Sequence, residues 1–220
     1  MLKLYIALTK SSEKKVFEFS LDSYDKILTI DFEKALKTSD HLCAKPLLLI
    51  CTHGSYDKCC GTKGKQLYNN LCSIEKDFDV WQTSHLGGHR LASNILLLPE
   101  GTYYGRVDEN NFSKLKDSHL KNRLCTELLR GRCFYSSEEQ AAEYFLAEQY
   151  NDTKISDLTL KGTSRTDSGH IETVFINRQD NSVYNVLIDK KDNAVEVIAS
   201  CKDKYKKFFP QYDLINITRG

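Results

Sequence analysis

Six side chains of the kinds that bind soft or borderline metals fall in two short segments of this chain. CTHGSYDKCCG (51–61) carries Cys51, His53, Cys59 and Cys60, and SHLGGHR (84–90) carries His85 and His89. Thiolates and imidazoles are the donors of zinc and iron–sulfur sites, and clustering of this kind is not something core packing produces. His85 and His89 fall on one side if their segment is helical, while Gly87-Gly88 equally permits a tight loop with close backbone approach. Either geometry brings both rings to one metal. Two cysteines with two histidines describe structural zinc or a mixed-ligand [2Fe-2S] cluster. Zinc fingers separate their cysteines by roughly two to four residues, whereas eight residues lie between Cys51 and Cys60, a loop better suited to a larger inorganic core. The neighbours Cys59 and Cys60 can seldom both reach one ion without strain, so one of them is expected to be a bystander.

The elements around these segments decide where the donors go. PLLLIC (46–51) is a continuous apolar run that reads as a strand buried on both faces and ending at Cys51. KGKQLYNNLCSI predicts a helix with Leu67, Leu71 and Ile74 on its inner face. DVWQTS predicts a strand ending near His85, and NILLLP with TYYGRV predicts a hairpin turned at EG. Both donor loops therefore follow strand C-termini, the edge of an α/β sheet where sites are usually built. LKLYIAL and KVFEF read as opening strands and DFEKALKTSD as a short helix. SSEEQAAEYFLAEQY predicts a capped helix presenting Ala142, Tyr144 and Phe145. From Ile155 onward, LTLKG, IETVFINR, VYNVLID and AVEVIAS alternate as strands of a small antiparallel sheet, with QDNS and KKDN as turns. The expected organisation is an α/β domain over 1–150, a mixed sheet flanked by helices, and a β-rich appendage over 151–220.

Composition narrows the function classes. Lys and Arg number 31 against 30 Asp and Glu, a net charge of +1, without the basic excess that nucleic-acid binding asks for. The N-terminus lacks the apolar stretch of roughly 7–15 residues typical of a secretory signal, and no run approaches the ~20 apolar residues of a membrane span. A cytoplasmic, reducing setting is expected, in which the eight cysteines stay free. Cys72, Cys125, Cys133 and Cys201 read as ordinary buried thiols.

CTHGSYDKCCG, SHLGGHR, LLLPEGTYYGRV and LLRGRCFYSSEEQAAE together resemble the sucrase/ferredoxin-like family, over about residues 46–145. Residues 1–45 do not carry the likeness. The resemblance implies a thioredoxin-like ferredoxin core, and, by its bis-histidine branch, which includes the fungal actin-patches-distal proteins, a [2Fe-2S] cluster held by Cys51, Cys60, His85 and His89. Zinc on the same four residues is the alternative. With both histidines on one iron the ligand set would be Rieske-like, with a raised reduction potential that falls as pH rises. The sugar-hydrolase sense of the family name finds no carboxylate pair in a recognisable acid/base setting.

Around the four ligands, His53 either donates to the cluster or caps the turn. Cys59, Gly87 and Gly88 belong to its surroundings. Asp57 is expected to close the first loop through an Asx turn. Arg90 could tune the potential, dock an acidic partner or form a structural salt bridge. Tyr103 and Tyr104 read as strand residues, and Lys202, Lys204, Lys206 and Lys207 as a solvated face. The leading function is a soluble electron carrier with no substrate chemistry of its own, working with another redox protein and, as an option, pairing with a second copy of the chain. The competing readings are a redox or iron sensor with a labile cluster, and a thiol enzyme using Cys59 and Cys60. The latter lacks Cys-x-x-Cys, and GTKGK (61–65) lacks the spacing of a phosphate loop.

Overall fold

A computed structural model describes residues 1–10, 13–55, 58–198, 200 and 205–220. Asp57, Cys201, Lys202 and Lys204 lie outside the described residues. The element that organises the rest is β3, Leu47–Cys51, whose Leu47, Leu48, Ile50 and Cys51 are all buried, as an apolar run without alternation predicts. It pairs in parallel with β4 (Asp79–Thr83) and antiparallel with β5 (Ile95–Leu98). β6 (Thr102–Tyr104) and β7 (Leu129–Arg132) extend the sheet antiparallel, giving the order β4-β3-β5-β6-β7. The parallel β3–β4 pair needs a crossover, and α2 (Lys65–Leu71) supplies it. A mixed sheet with this βα crossover followed by a β5–β6 hairpin is the thioredoxin-like arrangement. Because β3 and β4 run the same way, the loops that follow them open on one edge.

Leu67 and Leu71 of α2 join Leu48, Ile50, Ile95, Leu97 and Tyr104 of the sheet in the main core, with Phe112 and Leu115 of α3 (Phe112–Leu120). Each such side chain, fully buried, contributes about 1.5–3 kcal/mol of transfer free energy. Ile74, expected on that face, is exposed: α2 ends at Leu71 and the chain has already turned toward β4.

The first two strands, β1 (Leu2–Lys10) and β2 (Glu13–Leu21), form an antiparallel hairpin on which a short helix, α1 (Phe32–Ala35), packs around Phe17, Phe19 and Leu21. At the other end, β8 (Leu158–Arg165), β9 (Ile171–Asn177), β10 (Val183–Val197) and β11 (Lys207–Arg219) make a separate antiparallel sheet in the order β11-β10-β9-β8. Ile171 and Phe175 of β9 and Tyr184, Val186 and Ile188 of β10 face Ala142 and Leu146 of α4 (Ser137–Gln149). The predicted cap of α4 is present: Ser136 Oγ accepts the Glu139 N–H at 3.3 Å, and the Glu139 carboxylate accepts the Ser136 N–H at 2.7 Å.

Four further expectations are corrected. KKDN is no turn: Lys190 and Lys191 stay in β10, with a register irregularity between Lys191 and Val195 where Asn193 takes a φ of 54°. Residues 207–219 form a fourth C-terminal strand that the patterning missed. Tyr144 is not buried, the buried positions of α4 being Ala142, Glu143 and Leu146. Of the supposed buried thiols among the described residues, Cys125 is buried, while Cys72 and Cys133 are exposed. Among the described residues no helix is long and apolar enough to cross a membrane.

Candidate metal centre

The first donor loop is drawn tightly back onto its own strand. Cys51 ends β3 with its N–H donated to the Asn94 carbonyl at 3.0 Å. The loop returns through a π-helical turn, Cys60–Gly64, which runs into α2. This turn lies so close to the strand end that a Cβ on Gly64 would sit 2.0 Å from the Cys51 carbonyl oxygen, so only glycine lets Cys60 come alongside Cys51. Cys51, Cys60 and Ala92 form a small buried cluster with Cys59 and Leu86 at its margin. Burial, with the thiols of Cys51 and Cys59 beside it, pushes the Cys60 thiol up to about 12.

The second loop is a turn rather than a helix at its centre. Gly87 and Gly88 take φ of 76° and 66°, left-handed values that let the chain double back and leave His85 and His89 as a stacked pair, ring centroids 4.2 Å apart. His89 is buried and His85 exposed. The loops touch one another: Cys60 Sγ lies 4.0 Å from His89 Nδ1, and the Cys59 thiol donates to the His89 carbonyl at 3.2 Å. Cys59 therefore clasps the second loop, while the Cys60 sulfur faces the His89 ring.

Asn94 and Arg130 hold this turn, and sequence reasoning missed both. Asn94 Nδ2 donates to the Gly88 carbonyl at 3.0 Å. Arg130 Nη1 donates to Asn94 Oδ1 at 2.9 Å and to the Gly87 carbonyl at 3.3 Å, with its guanidinium 5.7 Å from the Tyr103 ring centroid. A Cβ on Gly88 would fall 2.5 Å from that guanidinium. Burial holds the Arg130 pKa below the usual value. The only signal was position: Asn94 opens NILLLP and Arg130 stands inside LLRGRC.

Of the remaining residues, His53 is half-buried with its ring 6.5 Å from that of His85. Arg90 lies 5.0 Å from the ring of Phe209 on β11. Tyr103 and Tyr104 are strand residues of β6, as read. Among the described residues no three His, Cys, Asp or Glu donors converge on a point that could hold a single metal ion.

A family model described as sucrase/ferredoxin-like matches residues 3–131. The chain belongs to that family. The match begins in the N-terminal hairpin, so the hairpin is part of the likeness that the residue motifs had confined to about 46–145. Relatives carry the name "Altered inheritance of mitochondria protein 32". That of Meyerozyma guilliermondii is 30% identical over 102 residues, 42% of this chain and 34% of that protein. That of Debaryomyces hansenii is 28% identical over 130 residues, 54% and 48%. That of Clavispora lusitaniae is 33% identical over 96 residues, 40% and 35%. The chain thus spans between a third and a half of the length of these curated relatives. Among solved structures, the 1.5 Å crystal structure of the wild-type thioredoxin-like [2Fe-2S] ferredoxin from Aquifex aeolicus is 14% identical, covering 41% of this chain and 100% of that one with a TM-score of 0.35.

Proposed function

We propose that this chain is a [2Fe-2S] electron-transfer protein whose cluster is held by Cys51, Cys60, His85 and His89. The observation that carries the reading is the pairing of the donors. Two thiols lie together in a buried cluster and two imidazoles lie stacked, with Cys60 Sγ and His89 Nδ1 4.0 Å apart across the two loops. A single zinc asks for four donors around one point, whereas a two-iron cluster asks for two ligands on each iron, which is how these four residues are grouped.

When bound, such a cluster takes up and releases single electrons. The rest is the work of the chain. Gly64 and the Gly87-Gly88 turn bring the donors close, Asn94 and Arg130 hold the second loop, and the Cys59 hydrogen bond ties His89 to the first. Arg130, close to Cys51 and Cys60, places a positive charge near two residues that must be thiolates to bind metal. Burial of Cys51, Cys60 and His89 keeps water from three ligands, while exposed His85 offers the edge nearest a partner. That partner is another redox protein. Free thiols at the described cysteines suit a reducing compartment such as the cytoplasm.

The test is an absorption and EPR spectrum of anaerobically purified protein with iron and acid-labile sulfide analysis, beside a His85→Cys/His89→Cys variant. Iron and sulfide in equal amounts, with a spectrum that shifts in the variant, is the expected result. A colourless protein containing zinc would overturn it.

A further inference from the structure

A cavity of about 440 Å³ lies against both donor loops without containing any of the four donors. Its walls come from three elements. Lys63 stands on the π-helical turn that begins with Cys60, Arg90 follows His89, and Arg106 lies in the segment after β6, with Leu67, Ala92, Ser93 and Val107 as a buried floor. Cavities of roughly 300–1,000 Å³ accommodate metabolite-sized molecules.

The charges of the cavity are unevenly committed. Asp108 and Glu109 also line it, yet both are tied into their own wall. Asp108 accepts the N–H groups of Asn110 and Asn111 at 2.9 and 3.0 Å, and Glu109 accepts the side-chain amides of Gln66, at 3.0 Å, and of Asn70. The three cations are not so engaged. Arg90 has its guanidinium over Phe209, Arg106 reaches only the Glu127 carbonyl at 3.5 Å, and among the described residues Lys63, Arg90 and Arg106 take no part in an ion pair. Lys63, Arg90 and Arg106 stand exposed around a mouth whose floor is buried and, apart from Ser93, apolar. The local shape is held by the backbone: Arg106 N–H donates to the Leu91 carbonyl at 2.7 Å and Val107 N–H to the Ser93 carbonyl at 3.2 Å.

We propose that this cavity binds a small organic polyanion. Three cations on three separate walls ask for at least two anionic groups on one molecule, since a single charge could satisfy only one or two of them. The buried floor favours a carbon skeleton between those groups, and the oriented Asp108 and Glu109 oxygens can accept from its hydroxyls. An occupant would touch the turn carrying Cys60 and the turn carrying His89 together. The inference stands on the chain's own side chains and does not require the cluster.

Free carboxylates and phosphate monoesters share this chemistry, so the test uses one probe of each. Propane-1,2,3-tricarboxylate and fructose 1,6-bisphosphate are titrated calorimetrically into the full chain at low salt. Saturable binding of either is expected, about tenfold or more weaker in Lys63→Gln and in Arg106→Asn, and weakened by added salt. Asparagine suits the left-handed conformation of position 106, φ 58°, and an unchanged thermal midpoint without ligand shows that each variant is folded. The preferred probe identifies the anionic group. Absence of saturable binding of both probes at millimolar concentration, or binding that neither substitution weakens, would overturn the proposal.

Discussion

Two polar clusters in this protein are equally removed from water and opposite in chemistry. Beneath α4, Arg132 and Glu143 are each 1% exposed and use up one another: Arg132 Nε meets both carboxylate oxygens at 3.0 Å, and Nη2 bonds to one of them as well. The guanidinium lies 5.1 and 5.2 Å from the rings of Phe134 and Tyr135. Burial alone would lower the Arg132 pKa, and Glu143 outweighs it and raises it. At the sheet edge, Cys51 and Cys60 are as deeply buried, but each thiol faces another thiol, and the effect is to raise the Cys60 pKa rather than to stabilise its charge. A cluster of opposite charges that satisfies itself is structural. A cluster of like donors, held together by glycines and by hydrogen bonds from outside, has no such internal compensation, and that is the difference the proposed cluster would account for.

The largest effect is expected at Glu143. Glu143→Ala leaves a buried, unpaired guanidinium and should cost about 3–5 kcal/mol in urea unfolding. Replacing both partners, Arg132→Met with Glu143→Leu, should recover most of that loss. If Glu143→Ala is nearly neutral, the pair is not the structural counterpart described above.

At the sheet edge the corresponding residue is Arg130. Arg130→Ala removes the guanidinium bonds to Gly87 and Asn94 while leaving the four donors in place. Stability should fall by about 1–3 kcal/mol, and if the cluster reading holds, iron retention against a chelator should fall about 10–100-fold, the usual effect of removing a group that orients a ligand. Arg130→Lys should restore stability only partly, since a single ammonium cannot reproduce two directed N–H bonds. A variant that loses stability but retains iron fully would separate the loop from the centre.

How legible this was follows from what each part asks of a sequence. The placement of the candidate donors was legible because their loops follow strands whose apolar runs are unmistakable. The cap of α4 was legible because Ser136 and Glu139 bond to each other's backbone locally. Asn94 and Arg130 were not, because an asparagine and an arginine acquire their roles only when β5 and β7 are brought beside the second loop. β11 was obscured by Pro210, a residue that argues against a strand. It is tolerated because β11 is the edge of its sheet, where a missing N–H need cost no ladder bond. KKDN looked like a turn because aspartate and asparagine tolerate left-handed backbone, and Asn193 uses that conformation inside an irregularity of β10 instead.

The finest probe of the structural cluster is Lys14 on β2. Burial holds its pKa down to about 8, with Arg132 and Arg178 pushing the same way and Glu100 and Glu143 pulling back. A lysine depressed from 10.5 favours the folded state only when neutral. Below about pH 8 it is charged in both states and the full penalty applies. Between about 8 and 10.5 the unfolded chain binds more protons than the folded one, so this group's contribution to stability rises with pH across that window. Lys14→Met should therefore stabilise the protein at pH 7 by about 1 kcal/mol, allowing for the solvent that reaches a half-buried side chain. That gain should shrink as unfolding is measured nearer pH 10.5. The difference between variant and parent isolates Lys14 from buried Tyr104 and Tyr135, whose raised pKa values favour the folded state less as pH climbs past 10. A gain independent of pH would mean that Lys14 reaches water freely and that the charges of the Arg132–Glu143 cluster are balanced without it.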